Sequence, residues 1–122
     1  MGKRVLLIED EPNIVTAISF LLRRDGWEVR THDDGADALE VIRAVRPDLV
    51  ILDMLLPGCT GLEILRALRA EAATAALPVL MLSARWQMRD RALAESSGAS
   101  RFMAKPFSNS EILASVREMA AP

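Results

Sequence analysis

Two runs of this chain, Val5-Leu6-Leu7-Ile8 and Leu49-Val50-Ile51-Leu52, are apolar at every position, so a strand built from either has no face to turn toward water. A sheet containing them must be covered on both sides. Helices crossing between parallel strands do this, and hairpins with one wet face do not. The rest of the chain fits that requirement: short apolar runs predict strands at 3–8, 27–31, 48–52, 78–82 and 101–104, and the stretches between them carry helical periodicity. The expected architecture is α/β, a doubly wound parallel sheet of five strands with helices on both faces.

The helices have legible ends. Pro12 suits a first helical position behind Asp10 or Glu11 as N-cap, Ile14, Ile18, Leu21 and Leu22 share one face, and Gly26 stops the helix. A second helix is expected over 36–45, ending before Pro47, and a third from Thr60 or Gly61 with Leu62, Leu65 and Leu68 inward. Residues 86–97 predict a weaker helix, with Met88, Ala92 and Leu93 as a thin apolar stripe and Gly98 as terminator. A capping box, Ser108-Asn109-Ser110-Glu111, opens the last one.

In such sheets ligands sit beyond the carboxyl ends of the strands. Here those ends are polar: Glu9-Asp10-Glu11 follows the first strand, Asp53 the third, Ser83 the fourth, and Lys105-Pro106 the fifth. Parallel neighbours would bring several carboxylates together, and their repulsion calls for a cation. An all-oxygen donor set of this kind suits Mg²⁺, with Mn²⁺ as the other choice. Acids, a hydroxyl and an amine are the parts of a phosphoryl-transfer site. The segment after the first strand has neither the glycines of a dinucleotide fold, nor Gly-Lys-Ser/Thr, nor a hydroxyl-rich flavin phosphate loop. One Cys and one His exclude a zinc shell. A Ser-His-Asp site is also excluded, because His32, the single histidine, is placed in a loop beyond the second strand.

With 122 residues, 51% of them apolar, the chain is expected to form one domain over 1–122. A net charge of -2 offers no general attraction to nucleic acid phosphates, so direct nucleic acid binding is not expected. Cys59 has no internal disulfide partner, the N-terminus lacks signal-peptide and myristoylation patterns, and no apolar run reaches membrane-spanning length. A cytoplasmic protein without membrane contact, a monomer or weak dimer, is expected.

Four segments in order resemble the receiver domain of bacterial two-component response regulators. Glu9-Asp10 is similar to its acidic pair, Leu52-Asp53-Met54-Leu55-Leu56-Pro57 to its phosphoacceptor loop, Ser83-Ala84 to its hydroxyl and small-residue pair, and Lys105-Pro106-Phe107 to its Lys-Pro-Phe signature. The resemblance covers the whole chain and implies a flavodoxin-like strand order, 2-1-3-4-5. It implies that Asp53 accepts a phosphoryl group from a histidine kinase or phosphotransfer protein, as an acyl phosphate. Mg²⁺ would be held by Asp10, Asp53 and the backbone carbonyl of Leu55, with Glu9 acting through water. Lys105 would pair with a phosphoryl oxygen, and Ser83 with the N–H of Ala84 would bind another. Pro106 would follow a cis peptide bond. Ser83 and Phe102 would be the switch, altering the face formed by the fourth helix, fifth strand and fifth helix so as to control a partner protein or output domain.

Taken singly, Ser83 reads as a strand-end hydroxyl, Lys105 as a solvated amine and Phe102 as core. Asp53 stands apart, because a carboxylate among Leu52, Met54, Leu55 and Leu56 is costly without a role. Departures from the family are few: Thr60-Gly61 replaces Asp-Gly, and Arg85 stands two residues after Ser83. Ser100-Arg101 and Ser115 do not match the dimer-forming residues of winged-helix regulators, whereas 76–81 and 98–100 resemble chemotaxis-type single-domain receivers. A haloacid-dehalogenase-like phosphatase also uses an Asp nucleophile, but it needs a second Asp where Leu55 stands. A pure scaffold would be expected to lack one of the acids. No enzymatic turnover is expected beyond the chain's own phosphorylation and dephosphorylation. Arg85, Arg89, Arg91 and Arg101 predict a locally basic switch face, on which Trp86 would report, while Trp27 is placed on the far edge strand.

Overall fold

The computed structural model describes residues 3–84 and 88–120, with the side chains of Met88 and Arg89 outside the description. Strands β1 (Arg4–Ile8), β2 (Glu28–His32), β3 (Leu49–Asp53), β4 (Val79–Ser83) and β5 (Arg101–Ala104) alternate with helices α1 (Pro12–Arg24), α2 (Ala38–Val45), α3 (Gly61–Ala70), α4 (Met88–Ser96) and α5 (Asn109–Ala120). The strands form one sheet in the order β2-β1-β3-β4-β5, and every pairing is parallel.

The unbroken apolar runs serve two cores at once. Because successive side chains leave a strand on opposite faces, Leu6, Ile8, Val50, Leu52, Val79 and Met81 pack with Ala38, Ile42, Ile64, Leu65, Leu68 and Ala94 of α2, α3 and α4. Val5, Leu7, Leu49, Ile51, Leu80 and Leu82 pack with Ile18, Leu22, Ile112 and Val116 of α1 and α5. Each buried Leu or Ile contributes about 2 kcal/mol by removal from water. A one-residue slip would exchange the two sets, so the register is firmly held.

The ends of the elements follow local chemistry. Pro12 opens α1 behind an extended Glu11, and α2 stops at Arg46, left-handed with φ 52°, ahead of Pro47. Thr60 caps α3 by accepting the Glu63 N–H, and the expected capping box of α5 is closed in both directions, Glu111 N–H to Ser108 Oγ at 3.1 Å and Ser108 N–H to Glu111 Oε1 at 3.0 Å. The Lys105–Pro106 peptide bond is cis.

Several expectations are corrected. His32 is not in a loop but is the last residue of β2, where its carbonyl accepts the Glu9 N–H, because the β1–β2 ladder continues to the end of β1. Trp27 precedes β2 and packs on the core beneath α1 and α5. On α4 the inward positions include Asp90, Leu93 and Ala94; of the expected stripe Leu93 is half-buried, Ala92 is exposed, and the side chain of Met88 lies outside the described residues. On the face formed by α4, β5 and α5, Arg91 pairs with Glu95 at 3.1 Å and Arg101 with Glu118 of α5 at 2.6 Å, and the side chain of Arg89 lies outside the described residues. Arg85 and Trp86 lie outside the described residues.

Candidate functional site

β1 and β3 pair in register at Ile8 and Leu52, so the next residues, Glu9 and Asp53, stand side by side at the carboxyl edge. Strand β3 ends on Asp53 and β4 on Ser83, and both side chains are buried within the ladder rather than following it. Carboxylate oxygens of Glu9, Asp10 and Asp53 all lie within 4.8 Å of one another. Glu9 is fully buried and Asp10 exposed, which leaves the cluster a path to solvent.

Lys105 reaches in from the end of β5. Its Nζ lies 2.7 Å from Glu9 Oε1, 3.4 Å from Asp53 Oδ2 and 3.9 Å from Glu11 Oε1. The main chain at this corner is fixed by the Lys105 N–H, which donates to the Ser83 carbonyl at 2.7 Å. Glu9 Oε2 accepts the N–H groups of Asp10 and Glu11 at 3.0 and 3.1 Å, while Oε1 has the ammonium close by but meets no donor in hydrogen-bond alignment. Asp53 Oδ1 receives the Leu55 N–H at 3.3 Å.

One ammonium thus faces two buried carboxyls, and their proton affinities diverge. Burial, reinforced by the adjacent Glu9 carboxyl, pushes Asp53 up to about 7 against the weaker pull of Lys105 and the Leu55 amide. Burial also works against an ionised Glu9, yet the Lys105 ammonium 2.7 Å from Oε1 and the Glu11 amide outweigh it and hold Glu9 below its ordinary value. Burial works against a charged Lys105 too, but the nearby Glu9 and Asp53 carboxyls outweigh it and raise the ammonium above its ordinary value. The site is short of positive charge. An oxygen-only donor set with an under-satisfied buried carboxylate atom fits a hard divalent cation such as Mg²⁺.

The structure brings together Glu9, Asp10, Asp53 and Lys105, with Ser83 one strand away. Leu55 and Ala84 are exposed on the surrounding loops. Ala84 and Lys105 line a groove of about 490 Å³ with Ile14, Ala17, Pro106 and Phe107. Phe102 is half-buried on β5 against the core beneath α3 and α4. The sequence reading missed Glu11 as a neighbour of Lys105, and it missed the contact of Asp34 and Gly35 with the loop after Asp53. The Asp-Gly dipeptide was a turn signal, but nothing local reveals what a turn packs against.

A family model described as the response regulator receiver domain matches residues 5–117, and the chain belongs to that family. It is 38% identical over 117 residues to the DNA-binding response regulator MtrA of Mycolicibacterium smegmatis, covering 96% of this chain and 50% of that protein. The chain therefore spans about half the length of this curated relative. Among solved structures, a putative response regulator from Chloroflexus aurantiacus superposes with a TM-score of 0.95 at 31% identity over 100% of both chains. The receiver domain of a sensor histidine kinase from Pseudomonas aeruginosa, with a magnesium ion coordinated in its active site cleft, gives 0.89 at 29% identity over 98% of each chain. The fold and site define a phosphoacceptor signalling domain. The phosphatase alternative has no support, and Leu55 stands where its second acid would be required. No helix among the described residues is long and apolar enough to cross a membrane.

Proposed function

We propose that Asp53 is the phosphoacceptor of this receiver domain and that Glu9, Asp10 and Asp53, with the Leu55 carbonyl, hold Mg²⁺ (or Mn²⁺) beside it. The observation carrying this reading is the cluster itself: three carboxylates within 4.8 Å at one strand edge, with the Lys105 ammonium 3.4 Å from Asp53. The bound cation supplies neutralisation of charge on the phosphoryl oxygens. A carboxylate oxygen of Asp53 bonds to phosphorus as the donor's phosphorus–nitrogen bond breaks, and the imidazole nitrogen keeps the electron pair. Asp53 attacks as the ionised form, which Lys105 favours. Lys105, Ser83 and the Ala84 N–H then hold the phosphoryl oxygens. The carboxylate that gains the phosphoryl group lies one strand from Ser83 and two from Phe102, which supports these two as the switch.

In this reading the donor is a histidine kinase or phosphotransfer protein in the cytoplasm. The response is read by a partner protein or an output domain, without direct nucleic acid contact by this chain and without turnover beyond its own phosphorylation and dephosphorylation. Intact-mass spectrometry after incubation with acetyl phosphate and Mg²⁺ tests it. One phosphoryl adduct is expected, absent from Asp53→Asn and suppressed by EDTA; labelling of that variant would sink the assignment.

A further inference from the structure

The β2–α2 loop, residues 33–37, supplies none of the three carboxylates that cluster among the described residues, yet it is docked on the loop that carries Leu55. The Gly35 N–H donates to the Pro57 carbonyl at 2.8 Å. A Cβ on Gly35 would lie 2.1 Å from the Cys59 carbonyl oxygen, so only glycine lets these two backbones approach. The fit is reciprocal: Gly58 has φ +86°, and a Cβ there would meet Asp34 Oδ1 at 2.7 Å and Ala36 at 2.9 Å. Asp34 Oδ1 accepts the Ala36 N–H at 2.8 Å, closing the turn that presents Gly35. At the root of the same loop, the Gly61 N–H donates to the Met54 carbonyl at 3.0 Å, and any Cβ on Gly61 would meet the Asp53 carbonyl oxygen at 2.2 Å. Residues 54–60 are thus braced at the root by Gly61 and on the far side by 34–36.

We infer that Asp34 is a positioning residue for the cation site: its carboxylate oxygen sets the 34–36 turn, the turn seats 57–59, and that loop sets the Leu55 backbone relative to Asp53. This inference rests on the function proposed above. The side chain acts through shape, as an outer partner that orients a ligand it does not touch. Charge is the rival explanation, since removing any nearby acid weakens cation binding.

Two variants separate them. Gly35→Ala would press a methyl group into backbone and risks unfolding, so Asp34→Ala and Asp34→Asn are preferred. Titration of each folded protein with MgCl₂ by calorimetry, at the same ionic strength, reads the dissociation constant. Asp34→Ala is expected to weaken Mg²⁺ on the order of tenfold. Asp34→Asn keeps the Oδ1 acceptor without the charge and should stay within about twofold of the parent. If Asn weakens binding as much as Ala, the effect is charge and the inference is overturned. It is equally overturned if Ala lowers the melting temperature but leaves the Mg²⁺ constant unchanged, because the turn is then structural only. A parent protein that takes up no Mg²⁺ would instead refute the proposed function.

Discussion

Lys105 Nζ lies 0.7 Å closer to Glu9 than to Asp53, 2.7 Å against 3.4 Å, and so divides one positive charge unequally between two buried carboxyls. The division makes Glu9 the ionised partner and leaves Asp53 the group that binds a proton or a cation. Removing either sign of charge should therefore shift stability in opposite directions.

Asp10→Ala takes an acid from a crowded cluster and should raise the melting temperature of the metal-free protein while weakening Mg²⁺ binding. Lys105→Ala leaves buried Glu9 without its ammonium and should cost about 3 kcal/mol in the metal-free state, with part recovered on adding Mg²⁺. Thermal melts of both variants with and without MgCl₂ decide it, and a lower melting temperature for metal-free Asp10→Ala would show that the acids do not repel one another.

The raised Asp53 gives the metal-free protein a particular pH dependence. An acid whose proton affinity is higher folded, about 7, than its ordinary 3.8 contributes stability that is complete below about pH 4 and lost as pH rises through 7. The ceiling on that loss is about 4 kcal/mol. Asp53→Asn cannot ionise, so its stability advantage over the parent should grow between pH 5 and 8 in EDTA and shrink when Mg²⁺ is present. A constant difference across that range would mean that Asp53 is not a strained acid.

Much of this was legible in the sequence because each feature was local. Runs apolar at every position required a doubly covered sheet, and polar residues at the run ends marked the site. The errors have a common physical source in contacts distant along the chain. Arg101 looked like an unmatched cation because its partner, Glu118, lies 17 residues away on α5. His32 looked like a loop residue because only its pairing with Ile8 makes it strand. On α4 the apolar periodicity is too weak to choose a face, and the half-buried and buried positions there include Asp90.

Arg69 is another residue whose work no local pattern announces. Its Nε donates to the Gly98 carbonyl at 2.8 Å, and its other nitrogens donate to the Thr74 carbonyl at 3.1 Å and Ser100 Oγ at 3.4 Å, joining α3 to the turn between α4 and β5. Arg69→Ala strands these acceptors and should cost about 2 kcal/mol in urea denaturation. A cost below about 0.5 kcal/mol, the range of an ordinary surface change, would mean that water replaces the side chain fully.

The two tryptophans offer a spectroscopic reading of the switch. Trp27 packs on the core beneath α1 and α5, whereas Phe102 packs on the opposite face of the sheet with the residues beneath α3 and α4. A rearrangement that passes through Ser83 and Phe102 should therefore leave Trp27 undisturbed. Trp86, three residues after Ser83, is the tryptophan placed in sequence to sense it. Adding beryllofluoride and Mg²⁺ should change the emission of the parent protein, Trp27→Phe should keep the change, and Trp86→Phe should lose it. A response that vanishes in Trp27→Phe and survives in Trp86→Phe would place the rearrangement on the α1 and α5 side instead.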